Sequence, residues 1–374
     1  MTNENPLLKL RSLGQSVWLD YIHRHLIDSG GLQRMVAEDG LGGITSNPNI
    51  FDEAIEGSDV YDDAIRALAR EGKSAGQIFE AIATEDVGRA ADILKPVFDK
   101  LRGRDGFVSI EVNPHLAHDA EATLVEARRL WKTLARPNVF IKVPATVEGI
   151  QAIGQLIGEG LNVNVTLLFG LERYRMAAEA YVSGLEDRAA RGLPVGGVAS
   201  VASFFLSRID VMVDPMLEKT GAPVALELRG QIAIACAKAA YRIYKEIFGS
   251  ARFGRLADLG AVPQRLLWAS TGVKDPQYAD TKYVEALIGP HTVNTMPMKT
   301  LEAYRDHGDP KPRLEENGDK AREWLARLGF FGIDMGEVSG RLEDEGIEKF
   351  NKPYDSLMSN IRKKSGKLSS PGEG

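Results

Sequence analysis

The sequence predicts the α/β class, and within it a (β/α)8 TIM barrel with additional helices and a C-terminal helical region. Three observations carry this. Short β-like runs alternate with helical runs through most of the 374 residues, and that alternation implies parallel strands joined by helical crossovers. About eight such units fall within ~250–300 residues, the size of a closed barrel. Several strands also carry polar residues on one face near their C-terminal ends: Asp20, Thr45, Asn47, Glu111, Lys142, Asn164, Thr166, Ser203 and Ser270. Barrel enzymes collect their catalytic groups at that end. The competitor is an open doubly wound sheet, but the glycine fingerprint of a nucleotide-binding sheet is absent.

The expected strands run in order. The first is Ser16 to Tyr21 and the second Gly43 to Pro48, ended by its proline. A helical region follows from Phe51 to Arg102, broken near Gly72 and Gly76. The third strand is Phe107 to Val112. The next helix has Leu124, Ala127, Trp131 and Leu134 at helical spacing and Asp119 as N-cap. The fourth strand is Asn138 to Pro144 and the fifth Asn162 to Phe169, with Asn162, Asn164 and Thr166 alternating against Val163 and Val165. Tyr174, Ala178, Tyr181 and Leu185 then form one helical stripe. The sixth strand is Gly197 to Ser203, running into a helix from Phe204 to Met216. A helical pair spans Val224 to Phe248. The seventh strand is Arg265 to Thr271 and the eighth His291 to Pro297, followed by a helix from Met298 to Asp306. Ile347, Phe350, Tyr354, Leu357 and Ile361 are spaced to cover an apolar surface. Residues 1–374 are expected to form one domain, with 363–374, rich in Lys, Ser and Gly, a disordered tail.

Composition narrows the function. The chain is 44% hydrophobic and 26% charged, an ordinary globular balance. A net charge of -6, with no cluster of cations interleaved with aromatics, argues against a nucleic-acid surface. No run is long and apolar enough to span a membrane. The single cysteine, Cys236, lies in an apolar run and reads as core. One cysteine cannot form an intrachain disulfide, which fits a reducing compartment. The first ten residues lack a signal peptide's apolar segment. A cytoplasmic protein is expected.

The most informative stretch is Asn138 to Thr146. Phe140, Lys142 and Pro144 share one strand face, Ile141 and Val143 the other, and neither face is polar. Burial of an ammonium there is costly and favours the neutral amine. A neutral lysine suits imine formation with a carbonyl substrate. The bland reading is a lysine paired with a buried carboxylate or reaching to solvent.

Other motifs are weaker. Gly40-Leu41-Gly42-Gly43 precedes a strand instead of following one. Gly72-Lys73-Ser74 lacks the upstream glycine of a phosphate loop, where Ala67 stands, and reads as a helix end. His115 and His118 have metal-ligand spacing but no further ligands nearby in sequence. His23 and His25 form a polar turn or helix start. No nucleophile elbow is present.

A lysine imine needs helpers: an acid/base to remove water from the carbinolamine, and a base for the hydroxyl beside the scissile bond. In a barrel the ends of the first, third, fourth and fifth strands converge. That brings Asp20, Glu111, Lys142, Asn164 and Thr166 together. Two carboxylates near one lysine can take different pKa values and divide the work. Taken singly, Asp20 and Glu111 are equally well read as a cap or an ion pair. Five polar groups facing inward are harder to explain as packing, because barrel interiors are mostly branched apolar layers.

From about Ser16 to Tyr304 the chain resembles the transaldolase family. The resemblance rests on Gly43-Ile44-Thr45-Ser46-Asn47-Pro48-Asn49-Ile50-Phe51 and on the lysine strand from Val139 to Gly149. Val108 to Val112, Asn162 to Phe169 and Ser203 to Arg208 support it. It implies that Lys142 forms an imine with a ketose, and that Asp20 takes the proton from the C4 hydroxyl as the C3–C4 bond breaks. Glu111 relays protons through a water held by Thr166. Asn47 and Asn164 hydrogen-bond the sugar chain, and Ser203 and Arg208 hold hydroxyl and phosphate groups. Many relatives place a second phosphate-binding arginine after the seventh strand; here Ser270-Thr271-Gly272-Val273-Lys274 offers Lys274 instead.

The implied reaction moves a dihydroxyacetone unit from sedoheptulose 7-phosphate to glyceraldehyde 3-phosphate, giving erythrose 4-phosphate and fructose 6-phosphate. This is a step of the pentose phosphate pathway, with no metal or organic cofactor. The expected partners are sugar phosphates, and the expected assembly a monomer or homodimer. One alternative is a fructose-6-phosphate aldolase-like enzyme that releases dihydroxyacetone. The other is a catalytically dead barrel used as a binding scaffold, which intact Asp20, Glu111, Lys142 and Thr166 argue against.

Overall fold

The computed structural model describes residues 5–369. Eight parallel strands close into a barrel in chain order: β1 (Gln15–Asp20), β2 (Gly43–Thr45), β3 (Phe107–Glu111), β4 (Val139–Pro144), β5 (Val163–Leu168), β6 (Ser200–Phe205), β7 (Arg265–Ala269) and β8 (Thr292–Met296). β1 pairs with both β2 and β8, so no strand edge is left open. Helices connect successive strands and cover the outside, as the alternation predicts.

The barrel's lower interior is aromatic. Phe107 and Phe140 stack with ring centroids 4.3 Å apart, and Trp18 lies 6.1 Å from Phe140. The Trp18 indole donates to Asp105 Oδ1 at 2.7 Å. Gly43 is required beside it, because a Cβ there would stand 2.4 Å from the indole ring. This plug fills the bottom of the barrel and leaves the polar strand ends at the top. Register then sets the site: Glu111 pairs with Lys142, Lys142 with Asn164, and Pro144 with Thr166.

Several expected boundaries shift. β2 stops at Thr45, and Pro48 opens the helix Pro48–Gly57 instead of closing a strand. Proline suits a first helical position, where no N–H is needed, and the Asn47 side chain caps the helix by accepting from Ile50 N. The helical region breaks after Gly57 as well as after Arg70. Gly76 lies inside the helix Ala75–Lys100, which Ser74 and Gln77 open with a capping box. β6 begins at Ser200 and includes Phe204 and Phe205, which pair with Trp268 and Ala269 of β7; the helix starts only at Ser207. Two adjacent bulky aromatics gain more from opposite sheet faces than from a helix's first turn.

The C-terminal region forms one long helix, Met335–Ser369, so the expected disorder from residue 363 is corrected for 363–369; residues 370–374 lie outside the described part. Its Ile347, Phe350, Leu357 and Ile361 are buried, as their spacing predicts. Lys364 explains the continuation: it donates to Ser58 O at 2.8 Å and to Asp62 Oδ1 at 2.6 Å. Asn360 donates to Asp52 Oδ1 at 2.9 Å, and Arg173 pairs with Glu343 at 3.2 Å. These ties lay the helix across the top of the barrel, against the helices that follow β2 and β6 and against β5 itself. Among the described residues no helix is long and apolar enough to cross a membrane.

Candidate active site

Lys142 is 4% exposed, with its ammonium at the C-terminal end of β4. Nζ donates to Ser46 O at 3.2 Å and reaches Glu111 Oε2 at 3.4 Å. The ring centroid of Phe350, from the C-terminal helix, lies 5.3 Å from it, within cation–π range. Burial pushes the Glu111 carboxyl above the usual carboxylate range; Lys142 opposes this, and the charge of Asp20 adds to it. A carboxyl in that setting holds a proton more readily than an exposed one and can give it up to a nearby base.

Asp20 closes β1. Its Oδ1 accepts from Thr45 Oγ1 at 2.7 Å, and Thr45 Oγ1 lies 2.8 Å from Thr295 Oγ1. Three strands thus fix one carboxylate. Asn164 is held on both sides: Ser203 Oγ donates to its Oδ1 at 2.7 Å, and its Nδ2 donates to Ser109 Oγ at 3.1 Å. Thr166 is fully buried, and its hydroxyl has no protein partner. β5 bulges there: Val165 pairs with Ala202 and Leu168 with Phe204, so Thr166 and Leu167 together face Ser203. Leu167 takes φ +58°, a costly backbone for a branched residue. Bulges re-aim side chains beside active sites, and this one acts on Thr166.

An open cavity of about 1040 Å³ lies over these groups. Asp20, Asn47, Lys142, Ser203, Arg208, Ser270 and Lys274 line it, together with Lys349 and Phe350 of the C-terminal helix. Arg208 stacks 5.7 Å from the Phe205 ring centroid, and its Nη1 is buried without a partner. Burial draws the Arg208 guanidinium below its ordinary pKa, opposed by Glu345. Asn47 spends its Oδ1 on the helix cap, which leaves its amide nitrogen to offer. Glu111, Asn164 and Thr166 are not on this cavity's wall. Glu111 opens instead on a narrower one of about 510 Å³, shared with Ser46, Asn47, Glu126 and Tyr354. Lys142 and Glu111 therefore stand between two spaces.

All nine residues singled out in the sequence lie at this end of the barrel. Sequence reasoning missed Thr295, Lys349 and Phe350. Thr295 lies on the expected eighth strand but shares its face with apolar Val293, so the alternation there did not mark it. Nothing in the sequence says that the C-terminal helix returns over the mouth. The set-aside motifs have structural roles. The His23 side chain caps a short helix, His115 meets Asp355 at 2.8 Å, and His118 meets Glu148 at 3.3 Å. Cys236 is buried and its thiol is pushed up to about 12 by desolvation. Among the described residues no group of three or more potential metal ligands forms.

A family model described as Transaldolase/Fructose-6-phosphate aldolase matches residues 17–361. The chain belongs to this family. A transaldolase of Thiobacillus denitrificans is 48% identical over 349 residues, covering 93% of this chain and 97% of that protein. A transaldolase of Parafrankia sp. is 47% identical over 366 residues, covering 98% and 99%. One from Thermobifida fusca is 46% identical over 358 residues, covering 96% and 97%. The match extends past Tyr304 into the C-terminal helix, further than the sequence resemblance was drawn.

Proposed function

We propose that the protein is a transaldolase that moves a dihydroxyacetone unit between sugar phosphates through an imine on Lys142. The observation that carries this reading is the buried Lys142 ammonium 3.4 Å from Glu111, in a cavity it shares with Asp20. The Lys142 ammonium passes a proton to Glu111, and the resulting amine adds to the ketose carbonyl. Glu111 supplies the proton with which the carbinolamine hydroxyl leaves as water. Thr166, whose hydroxyl has no protein partner, holds the water that links Glu111 to the reacting carbon. Asp20 accepts the proton of the C4 hydroxyl. The C3–C4 electron pair moves into the protonated imine, and the aldose leaves with a new carbonyl. The enamine left on Lys142 attacks the acceptor aldehyde, and hydrolysis frees the product. Asn47 and Ser203 hydrogen-bond the sugar hydroxyls, Asn164 holds Ser203 in place from behind the cavity wall, and Arg208 and Lys274 face the phosphate end. The scheme uses no metal or organic cofactor.

The second reading is an aldolase that lets water capture the enamine and releases dihydroxyacetone. The Phe350 ring over Lys142 and the lysine's 4% exposure favour transfer, because both limit water at the reacting carbon. A cytoplasmic location, a place in the pentose phosphate pathway and a single domain over 1–374 go with the transfer reading.

Borohydride trapping with fructose 6-phosphate, followed by peptide mass mapping, tests it. A dihydroxyacetone-derived adduct on Lys142 is the expected result, and no adduct under turnover conditions overturns the imine. Adding erythrose 4-phosphate then separates the two readings: a seven-carbon sugar phosphate supports transfer, and free dihydroxyacetone alone supports cleavage.

A further inference from the structure

Besides the reacting Lys142, the barrel supplies two cations to the open cavity, Arg208 after β6 and Lys274 after β7. One more, Lys349, enters from the C-terminal helix. It precedes Phe350, whose ring lies against the Lys142 ammonium, so its place over the mouth is fixed by a buried neighbour. Its next lysine on the helix, Lys352, pairs with Glu348 and faces solvent. Lys349 faces the cavity.

The charges around Lys349 are incompletely matched. Its Nζ lies 3.1 Å from Glu345 Oε2, an exposed pair one helical turn apart, of a kind that contributes little. Glu345 also acts on Arg208, whose buried Nη1 has no acceptor. One carboxylate thus answers to two cations, and a buried guanidinium N–H is left unsatisfied. An anion with several acceptor oxygens would satisfy both.

We infer that Lys349 is a binding residue for the phosphate end of the substrate, supplied by the C-terminal helix and working with Arg208 and Lys274. The inference rests on the sugar-phosphate reading of the cavity. It makes the C-terminal helix a specificity element: the helix places one positive charge where a phosphorylated sugar is separated from an unphosphorylated one. Glu345 holds Lys349 over the cavity and weakens the grip on singly charged anions.

The test uses glucitol 6-phosphate, an open-chain phosphate with no carbonyl, titrated calorimetrically into the full chain. Lys349→Met is expected to weaken its binding roughly tenfold, Lys349→Arg to keep most of it, and Lys352→Met to leave it unchanged. In turnover, Lys349→Met raises KM for glyceraldehyde 3-phosphate by a similar factor, keeps kcat within about twofold, and leaves the use of unphosphorylated glyceraldehyde as it was. Native protein that binds the polyol phosphate no better than the Lys349→Met variant overturns this inference alone. Native protein that does not bind it overturns the sugar-phosphate reading as well. An equal loss with both aldehydes assigns Lys349 to packing and overturns its role in phosphate binding.

Discussion

Glu111 and Lys142 are register partners on neighbouring strands, and their end groups stand 3.4 Å apart with both side chains almost wholly buried. Parallel pairing with matched register guarantees this meeting: residues opposite each other on adjacent strands, both turned inward, have nowhere else to put their ends. Burial outweighs the neighbouring ammonium and holds the Glu111 carboxyl above its ordinary range.

That shift has a stability consequence. A carboxyl whose pKa is raised on folding binds its proton more tightly in the native protein than in the unfolded chain. Its contribution is fully present below the unfolded value, about 4.3, and is lost as pH rises through the folded value. Glu111→Gln does not titrate. The unfolding free energy of this variant, measured by urea denaturation, should therefore improve relative to the native protein as pH rises from about 4. A difference that stays flat between pH 4 and 8 contradicts the shift.

In the proposed mechanism Asp20 acts on the substrate's hydroxyl, while the imine forms at Lys142. Asp20→Ala should leave borohydride trapping on Lys142 possible and lower carbon-bond cleavage about 10²–10⁴-fold. The measurement compares adduct yield with aldose release in the same sample. Equal loss of both refutes the assignment.

Thr166 separates stability from activity. Its hydroxyl is buried without a protein partner, so Thr166→Val removes a desolvated polar group and keeps the shape. Stability should be unchanged or slightly higher, and kcat should fall about 10²-fold. Thermal unfolding and initial rates on one preparation check the pair of outcomes. A large loss of stability would place Thr166 in the packing instead.

Gly346 lies where the C-terminal helix packs against Leu167 of β5 and the following Phe169. A Cβ there would meet Leu167 Cδ2 at 3.1 Å and Phe169 at 3.3 Å. Gly346→Val should cost about 1–3 kcal/mol and lift the helix from the mouth, raising KM for phosphorylated substrates. Denaturant unfolding and steady-state kinetics read the two effects.

Much of this was legible in the chain. The two-residue period of a strand put Lys142 on the same face as Phe140 and Pro144, and the fold confirms it: Phe140 stacks in the barrel floor below Lys142. Asp119 caps its helix as read. Pro48 was misread because proline both ends strands and starts helices, and only the Asn47 cap decides between them. The bulge at Thr166 and Leu167 has no local signature, since neither residue is a glycine. Phe350 was read as part of a helix face without a destination, and Lys349 was not singled out: Lys142, which Phe350 meets, is far away in sequence, and amphipathic spacing says that a surface is covered but not which one.

The helix that carries Lys349 and Phe350 follows the eighth strand along the chain. During synthesis the ring of strands can therefore be complete while its top is still bare. A chain at that stage lacks both the Phe350 ring over Lys142 and the Lys349 charge at the cavity. The order of synthesis thus makes the cover of the reacting amine the last part of the site to be put in place.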